Sequence, residues 1–310
     1  MIRSIVNHMF LLALLVAVGA CSSNSSKTES KEMKTEENLY VSQPFTSNNE
    51  FTGGIEGPAV DKDGNLYVVN FGNEGTIGKV TPDGKASLFV TLPEGSTGNG
   101  IRFNSKGEML IADYTGHNVL KVDMKSLEIS VYAHHDELNQ PNDIAIMDND
   151  IVFASDPNWK ESTGQIWRVG LDGQFVLLEA DMGTTNGIEV SPDNKTLYVN
   201  ESVQRNVWAY DLNEAGEISN KRLIHTFEDF GMDGMRVDLD GDLYVTRHGK
   251  GTVVKLSPEG EFLKEIKMSG EKPSNIAFGG VDGKTAYVTL QDNGNIDSFL
   301  VEKPGRAFRK

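Results

Sequence analysis

Six polar residues recur along the chain at nearly constant spacing, each at the head of a short apolar run: Glu56, Asn99, Asn142, Asn186, Asp233 and Ser274. The intervals between them are 43, 43, 44, 47 and 41 residues. If a fold brought these positions to one point, Glu56 and Asp233 would supply two charged oxygens and Asn142 and Asn186 two amide oxygens. That set suits a hard cation such as Ca²⁺, which takes oxygen ligands at about 2.3–2.6 Å and completes its shell with water. Mg²⁺, Mn²⁺ and Zn²⁺ are the other divalent candidates, although no histidine or cysteine stands at these positions to make a nitrogen- or sulfur-ligated zinc site. A cation held in this way can polarise a carbonyl and stabilise an oxyanion while a carboxylate takes a proton from water. One Asn or Asp ahead of a strand is often only turn chemistry, and Asn99 and Ser274 are assigned to the lining of the site rather than to the cation.

The elements that must position these residues are legible around them. Each polar residue opens a strand, a turn and a second strand, as in EGPAVDKDGNLYVVN (56–70), NGIEVSPDNKTLYVNE (186–201) and DGMRVDLDGDLYVTR (233–247). A third apolar segment follows, such as QIWRVG or NVWAYD, and in most repeats a fourth, such as FVLLEA. Gly, Asp and Asn punctuate segments rich in Val, Ile, Leu, Phe and Tyr. Four antiparallel strands repeating every 40–50 residues or so are the mark of a propeller blade, so the expected fold is all-β, a six-bladed β-propeller over 39–310. The last repeat reads as only three strands. Leu39–Thr46 (LYVSQPFT) resembles the fourth strands elsewhere and is expected to complete blade six, removing an open sheet edge. A solenoid would need more polar, atypical terminal repeats. In an antiparallel meander the segment before strand one and the loop after strand two share a face. The same face therefore gains an outer ring: Asn70, Asp113, Asp156, Asn200, Arg247, His248 and Gln291.

The 310 residues, 38% of them apolar, suffice for one large domain or two small ones. Met1–Ala20 reads as a separate secretory signal, with Arg3 ahead of the apolar run Met9–Val18, which is too short to span a bilayer. Val18-Gly19-Ala20-Cys21 resembles the lipobox of bacterial lipoproteins, and Cys21, the only cysteine, is the expected lipidation site. Residues 21–38 are Ser-, Lys- and Glu-rich and read as a flexible tether. The expected location is therefore a membrane surface on the periplasmic or extracellular side, with the membrane reached through the lipid alone. The formal charge of −16 becomes −17 without residues 1–20, whose only charge is Arg3. An acidic surface of that size excludes nucleic acid as a partner; a monomer is expected.

Taken together, EGP at Glu56, ND at Asn142–Asp143, NG at Asn186 and DG at Asp233 resemble the senescence marker protein/gluconolactonase family of regucalcin-like six-bladed propellers, over about Phe51 to Val301. The resemblance implies that the matching Glu, two Asn and Asp bind a divalent metal, commonly Ca²⁺, and that the activity is hydrolysis of lactones or, as in the related diisopropyl fluorophosphatases, of organophosphate esters. It places Asp233 both on the metal and beside the attacking water, as the first candidate for the base; Asp143 is the second, with a structural bond to backbone or a neighbouring ligand as its other reading. The sugar-lactone enzymes carry an Arg two residues before the ND asparagine where this chain has Gln140, a departure that leaves sugar-acid lactone specificity open. Asn99, Gln140, Trp159 and His248 are the candidate pocket residues. His117, His134 and His135 are read mainly as loop histidines, and Trp167 and Trp208 as packing between blades. The main alternative function is a metal-free binding propeller of the NHL type, against which the glutamate at position 56 argues.

Overall fold

The computed structural model describes residues 38–308. It is a ring of six four-stranded antiparallel sheets, each a meander from an inner to an outer strand. The innermost strands are Phe51–Val60, Gly98–Phe103, Ile144–Ile146, Thr185–Val190, Met235–Val237 and Pro273–Gly279, in blades one to six. Each touches the innermost strand of the blade on either side, and blade six meets blade one. The ring closes as the sequence leads one to expect: Gln43–Pro44 pairs with Asn295–Leu300 as the outer strand of blade six, with Gln43 opposite Ser298. Tyr40 N–H also donates to the Leu300 carbonyl at 2.8 Å. Among the described residues no helix is long and apolar enough to cross a membrane, and residues 1–37, with the signal, Cys21 and nearly all of the tether, lie outside the described part.

The core is divided among the junctions. Six apolar clusters each join two neighbouring blades; the one between blades two and three, for example, combines Leu110 and Val119 with Ile144, Val152 and Trp167. Alternation along each inner strand sends apolar residues into these junctions on both faces, and each buried aliphatic side chain contributes roughly 1.5–3 kcal/mol.

A bulge at the polar residue recurs in blades two to six, while in blade one Glu56 pairs with Val69 and the two-against-one step falls at Gly57–Pro58. In blade four Thr185 pairs with Glu201 and Ile188 with Val199, so Asn186 and Gly187 together face Asn200. Blades two and six show the same two-against-one step at Asn99–Gly100 and Ser274–Asn275. In blades three and five, Asn142–Asp143 straddle Ser155 and Asp233–Gly234 straddle Thr246 through the same pattern of backbone bonds. A bulge bends its strand and re-aims side chains. In blades two to five it turns the first residue of the pair toward the open end of the channel. The glycine that follows lets the blades interlock: Gly100 N–H donates to Asn142 C=O (2.8 Å), Gly187 to Asp233 (3.1 Å) and Gly234 to Ser274 (2.7 Å). Gly57 has φ +58, and a Cβ there would lie 1.7 Å from the Asn99 carbonyl, so only glycine fits this approach.

Candidate active site

A cavity of about 710 Å³ opens at the head of the channel, lined by Glu56, Asn99, Asn142, Asn186 and Asp233 at its floor. Residues from the loops after each second strand form its walls, among them Asn70, Trp159, His248 and Gln291. The inner and outer rings thus share one face, as the meander requires.

The floor is wired so that particular oxygens remain available. Ser202 Oγ donates to the Met232 carbonyl, which leaves it able only to accept from Asn186 Nδ2, at 3.1 Å. The carboxamide is thereby turned so that Oδ1, buried and without a hydrogen-bond partner, is left over. A buried acceptor without a donor costs roughly 1–3 kcal/mol, and a cation would supply what it lacks. Glu56 Oε2 accepts from Gly57 N–H (2.7 Å) and Asn275 Nδ2 (2.9 Å), leaving Oε1 to the cavity. Burial, with Asp143 adding to it, pushes the Glu56 carboxyl up to about 7. Burial and then the charge of Glu56 raise Asp233 well above the usual range, the two carboxyls being close enough to hydrogen-bond. Two carboxylates crowded beside an unpartnered amide oxygen fit a hard cation, which would neutralise both. Among the described residues no three His, Cys, Asp or Glu side chains gather as a cage, so a cation here depends on the amides. Asn99 spends its Nδ2 on the Asn142 carbonyl (3.1 Å), a tie between blades.

Beneath the floor lies a charged plug. Asp143, with no exposed surface, sits 3.3 Å from Arg102 and 2.9 Å from Arg236, and both arginines approach Glu189 at 3.5 and 3.7 Å. Burial alone would raise Asp143, but Arg236 and Arg102 hold its carboxyl below the ordinary value. Burial lowers Arg102 to about 10. Asn275 Nδ2 spans 2.9 Å to Glu56 and 3.3 Å to Asp143, connecting plug to floor. In the blades where glycine takes the second bulge position these side chains find room: a Cβ on Gly100 would lie 2.5 Å from Asp143 Oδ1, and one on Gly234 2.0 Å from Asn275 Cγ.

Several expected positions therefore differ from the sequence reading. Asp143 does not line the cavity; fully buried and ion-paired to Arg102 and Arg236, it follows the structural reading. Ser274 is also withdrawn, its hydroxyl donating to the Ile55 carbonyl at 2.8 Å to tie blade six to blade one. Asn275, one residue on, supports the floor instead by donating to Glu56 Oε2, and the signal was an amide where most repeats place glycine. Gln140 is not among the lining residues; its N–H and that of Asn139 are anchored on Asp156. Asp113 is likewise consumed within its loop by Ser96, Thr97, Gly116 and Asn118. His134 bonds Asn118 and Asp136, and His135 stacks on Trp167 at 4.8 Å, whereas His248 lines the cavity and meets Gln291 at 3.0 Å. Glu74, Tyr114, Arg205 and Phe230 join the lining from loops that carry no repeat signal.

Comparison with known proteins fits this geometry. Residues 56–292 match the family described as SMP-30/Gluconolactonase/LRE-like region. The chain belongs to that family. A gluconolactonase of Zymomonas mobilis is 28% identical over 274 residues, 77% of this chain and 76% of that one. The diisopropyl-fluorophosphatase of Loligo vulgaris is 26% identical over 294 residues, covering 84% of this chain and 93% of its own. Among solved structures, a calcium-binding protein, regucalcin, from Agrobacterium tumefaciens superposes with a TM-score of 0.73 at 22% identity, over 82% of this chain and 92% of that one; at that identity the likeness speaks for the fold. Membership spans the interval from Glu56 to the loop after the second strand of blade six, so every floor residue falls inside it.

Proposed function

We propose that this lactonase-type hydrolase of the SMP-30/gluconolactonase family works on a divalent cation, Ca²⁺ first, held by Glu56, Asn142, Asn186 and Asp233. The observation that carries the reading is the orphaned Asn186 Oδ1 beside two carboxyls, both raised by burial, with Asp233 raised further by the charge of Glu56. When bound, the cation supplies Lewis-acid polarisation of an ester carbonyl and stabilisation of the oxyanion. The chain's own residues do the rest. Asp233, on the floor and partly exposed to the cavity, accepts the proton of the attacking water. Asn275 and Gly57 hold Glu56 Oε2, and Ser202 holds the Asn186 amide, so the floor needs little rearrangement when substrate arrives. His248 and Gln291 offer hydrogen bonds to polar substituents at the wall.

Small lactones or similar esters are the substrate class supported by the gluconolactonase relative; the fluorophosphatase relative keeps an organophosphate ester as a second reading on the same floor. Signal and lipobox support export as a lipid-anchored protein through Cys21. The test is a panel of lactones, carboxylic esters and a fluorophosphonate, assayed with Ca²⁺, Mg²⁺, Mn²⁺ and Zn²⁺ against chelated protein. Cation-dependent turnover of lactones is expected. An empty panel would favour a binding propeller.

A further inference from the structure

One side of the cavity is apolar in a way the fold does not need. Trp159, Val203 and Phe230 are 38%, 55% and 50% exposed, and all three line the cavity, from blade three, blade four and the link from blade four to blade five. Other exposed large apolar side chains, such as Leu88, Val131, Leu223 and Phe262, are scattered on outer strands. Single exposed apolar residues need no explanation, but three that line one cavity above a polar floor do. The wall contributed by blades one and six is polar: Glu74, Asn70 and Gln291.

The apolar wall is also held in place. Phe230 has φ +41, a region that a bulky aromatic rarely adopts and that costs on the order of 1–3 kcal/mol. Arg247, 1% exposed and stacked 3.6 Å over the Phe227 ring, keeps it there. Its guanidinium donates to the Asp229 carboxylate at 2.8 Å, to the Gly231 carbonyl at 3.4 Å and to the Asp229 carbonyl. Phe230 in turn lies over Gly249, where an added Cβ would come within 3.1 Å of its ring. On the other flank Trp159, from blade three, lines the cavity together with Tyr114 of blade two. Arg205 is the one charged lining residue on this side, and its Nη1 is tied to the Glu228 carbonyl at 2.6 Å. A buried arginine maintaining a strained loop so that an aromatic ring faces solvent at the cavity has a purpose if the ring meets substrate.

We infer that the substrate is a lactone or ester bearing an apolar alkyl or aryl substituent, which lies against Trp159, Val203 and Phe230 while the ester group rests on the floor. A polyhydroxylated lactone would leave its hydroxyls unpaired along that wall. This rests on the hydrolase reading above and narrows it.

The test is the kcat/KM of the full chain with Ca²⁺ on γ-butyrolactone, γ-octalactone, γ-dodecalactone and glucono-1,5-lactone, alongside calorimetric titration with the unreactive alkyl lactams. Full burial of a methylene is worth about fourfold and partial burial roughly twofold. γ-Octalactone should therefore exceed γ-butyrolactone at least tenfold, with the lactams tightening in parallel. Trp159→Ser should cut that preference about threefold or more. Phe230→Gly should do the same while leaving Tm equal or higher, because glycine relieves the backbone strain; a ring that merely packed would lower Tm when removed. A flat alkyl series, or preference for the polyol lactone, overturns the inference and leaves the hydrolase reading standing. Lactam binding that tracks chain length without any turnover supports the wall and removes the hydrolase reading, and neither binding nor turnover removes both.

Discussion

Asp143→Asn separates a positioning role from a catalytic one. The carboxylate is fully buried, 2.9 Å from Arg236 and 3.3 Å from Arg102, and accepts from Ile144 N–H at 2.9 Å. Asparagine keeps the shape and removes the charge, leaving two buried guanidiniums to share Glu189 at 3.5 and 3.7 Å. Breaking a buried ion pair by neutralising one partner costs about 3–5 kcal/mol. For a domain of this size that corresponds to a fall in Tm of roughly 5–9 °C. Thermal and urea unfolding measure the loss, and hydrolysis at saturating cation well below the new Tm measures the chemistry. The folded Asp143 carboxyl lies below its unfolded value. The stability it contributes is therefore present above the unfolded pKa, near 4, and lost as pH falls through the depressed folded value. Wild type should shed that part of its stability in acid, and the variant, having none to shed, should show a shallower acid limb. Stability held within about 0.5 kcal/mol of wild type together with a hundredfold or greater loss of kcat would refute the positioning role and restore Asp143 as the base.

Other perturbations address the floor and the N-terminal segment. Asp233→Asn should lower kcat by roughly two to four orders of magnitude, while the chelated variant keeps or gains Tm because Glu56 loses a like-charged neighbour; turnover equal to wild type would remove Asp233 as the base. In chelated wild type, Glu56 holds its proton up to about pH 7 when folded and only to its ordinary value when unfolded, so stability should fall as pH rises between about 4.5 and 7. Added Ca²⁺ should cancel that decline, and parallel Tm profiles with and without the cation would count against the site. Cys21→Ser should move the protein from the membrane fraction to the soluble fraction, and continued membrane association would dismiss the lipobox reading.

The fold was legible because a propeller is a local structure repeated. Strand, turn and strand recur with the residues that favour each, and six copies remove the ambiguity that any one would leave. The closing strand could be read too, from a fourth segment missing at one end and present at the other. The floor was less fully legible. Glu56, Asn142, Asn186 and Asp233 stand at one position of the repeat, whereas the wiring depends on the next position, where Asp143 and Asn275 replace glycine and fill space that glycines in adjacent blades leave open. Assigning Ser274 to the lining missed this by one residue, since a bulge directs neighbouring side chains to different depths. The plug of Arg102, Glu189 and Arg236 lies two residues deeper, at positions where other blades carry alanine, and only its charge against an apolar background marked it. Phe230, Tyr114 and Arg205 belong to loops whose conformation is set by distant partners such as Arg247, and no periodicity reaches them.

The central claim is that a cation on this floor makes the chain a hydrolase. The direct measurement is lactone hydrolysis by exhaustively chelated full-length protein during titration with Ca²⁺, with bound metal counted at each step. Activity should be absent at the start, rise in proportion to bound metal and saturate at one ion per chain, and Glu56→Gln should shift that curve to higher Ca²⁺. Full hydrolysis by the metal-free protein, or a rise that ignores the Glu56 substitution, would contradict it.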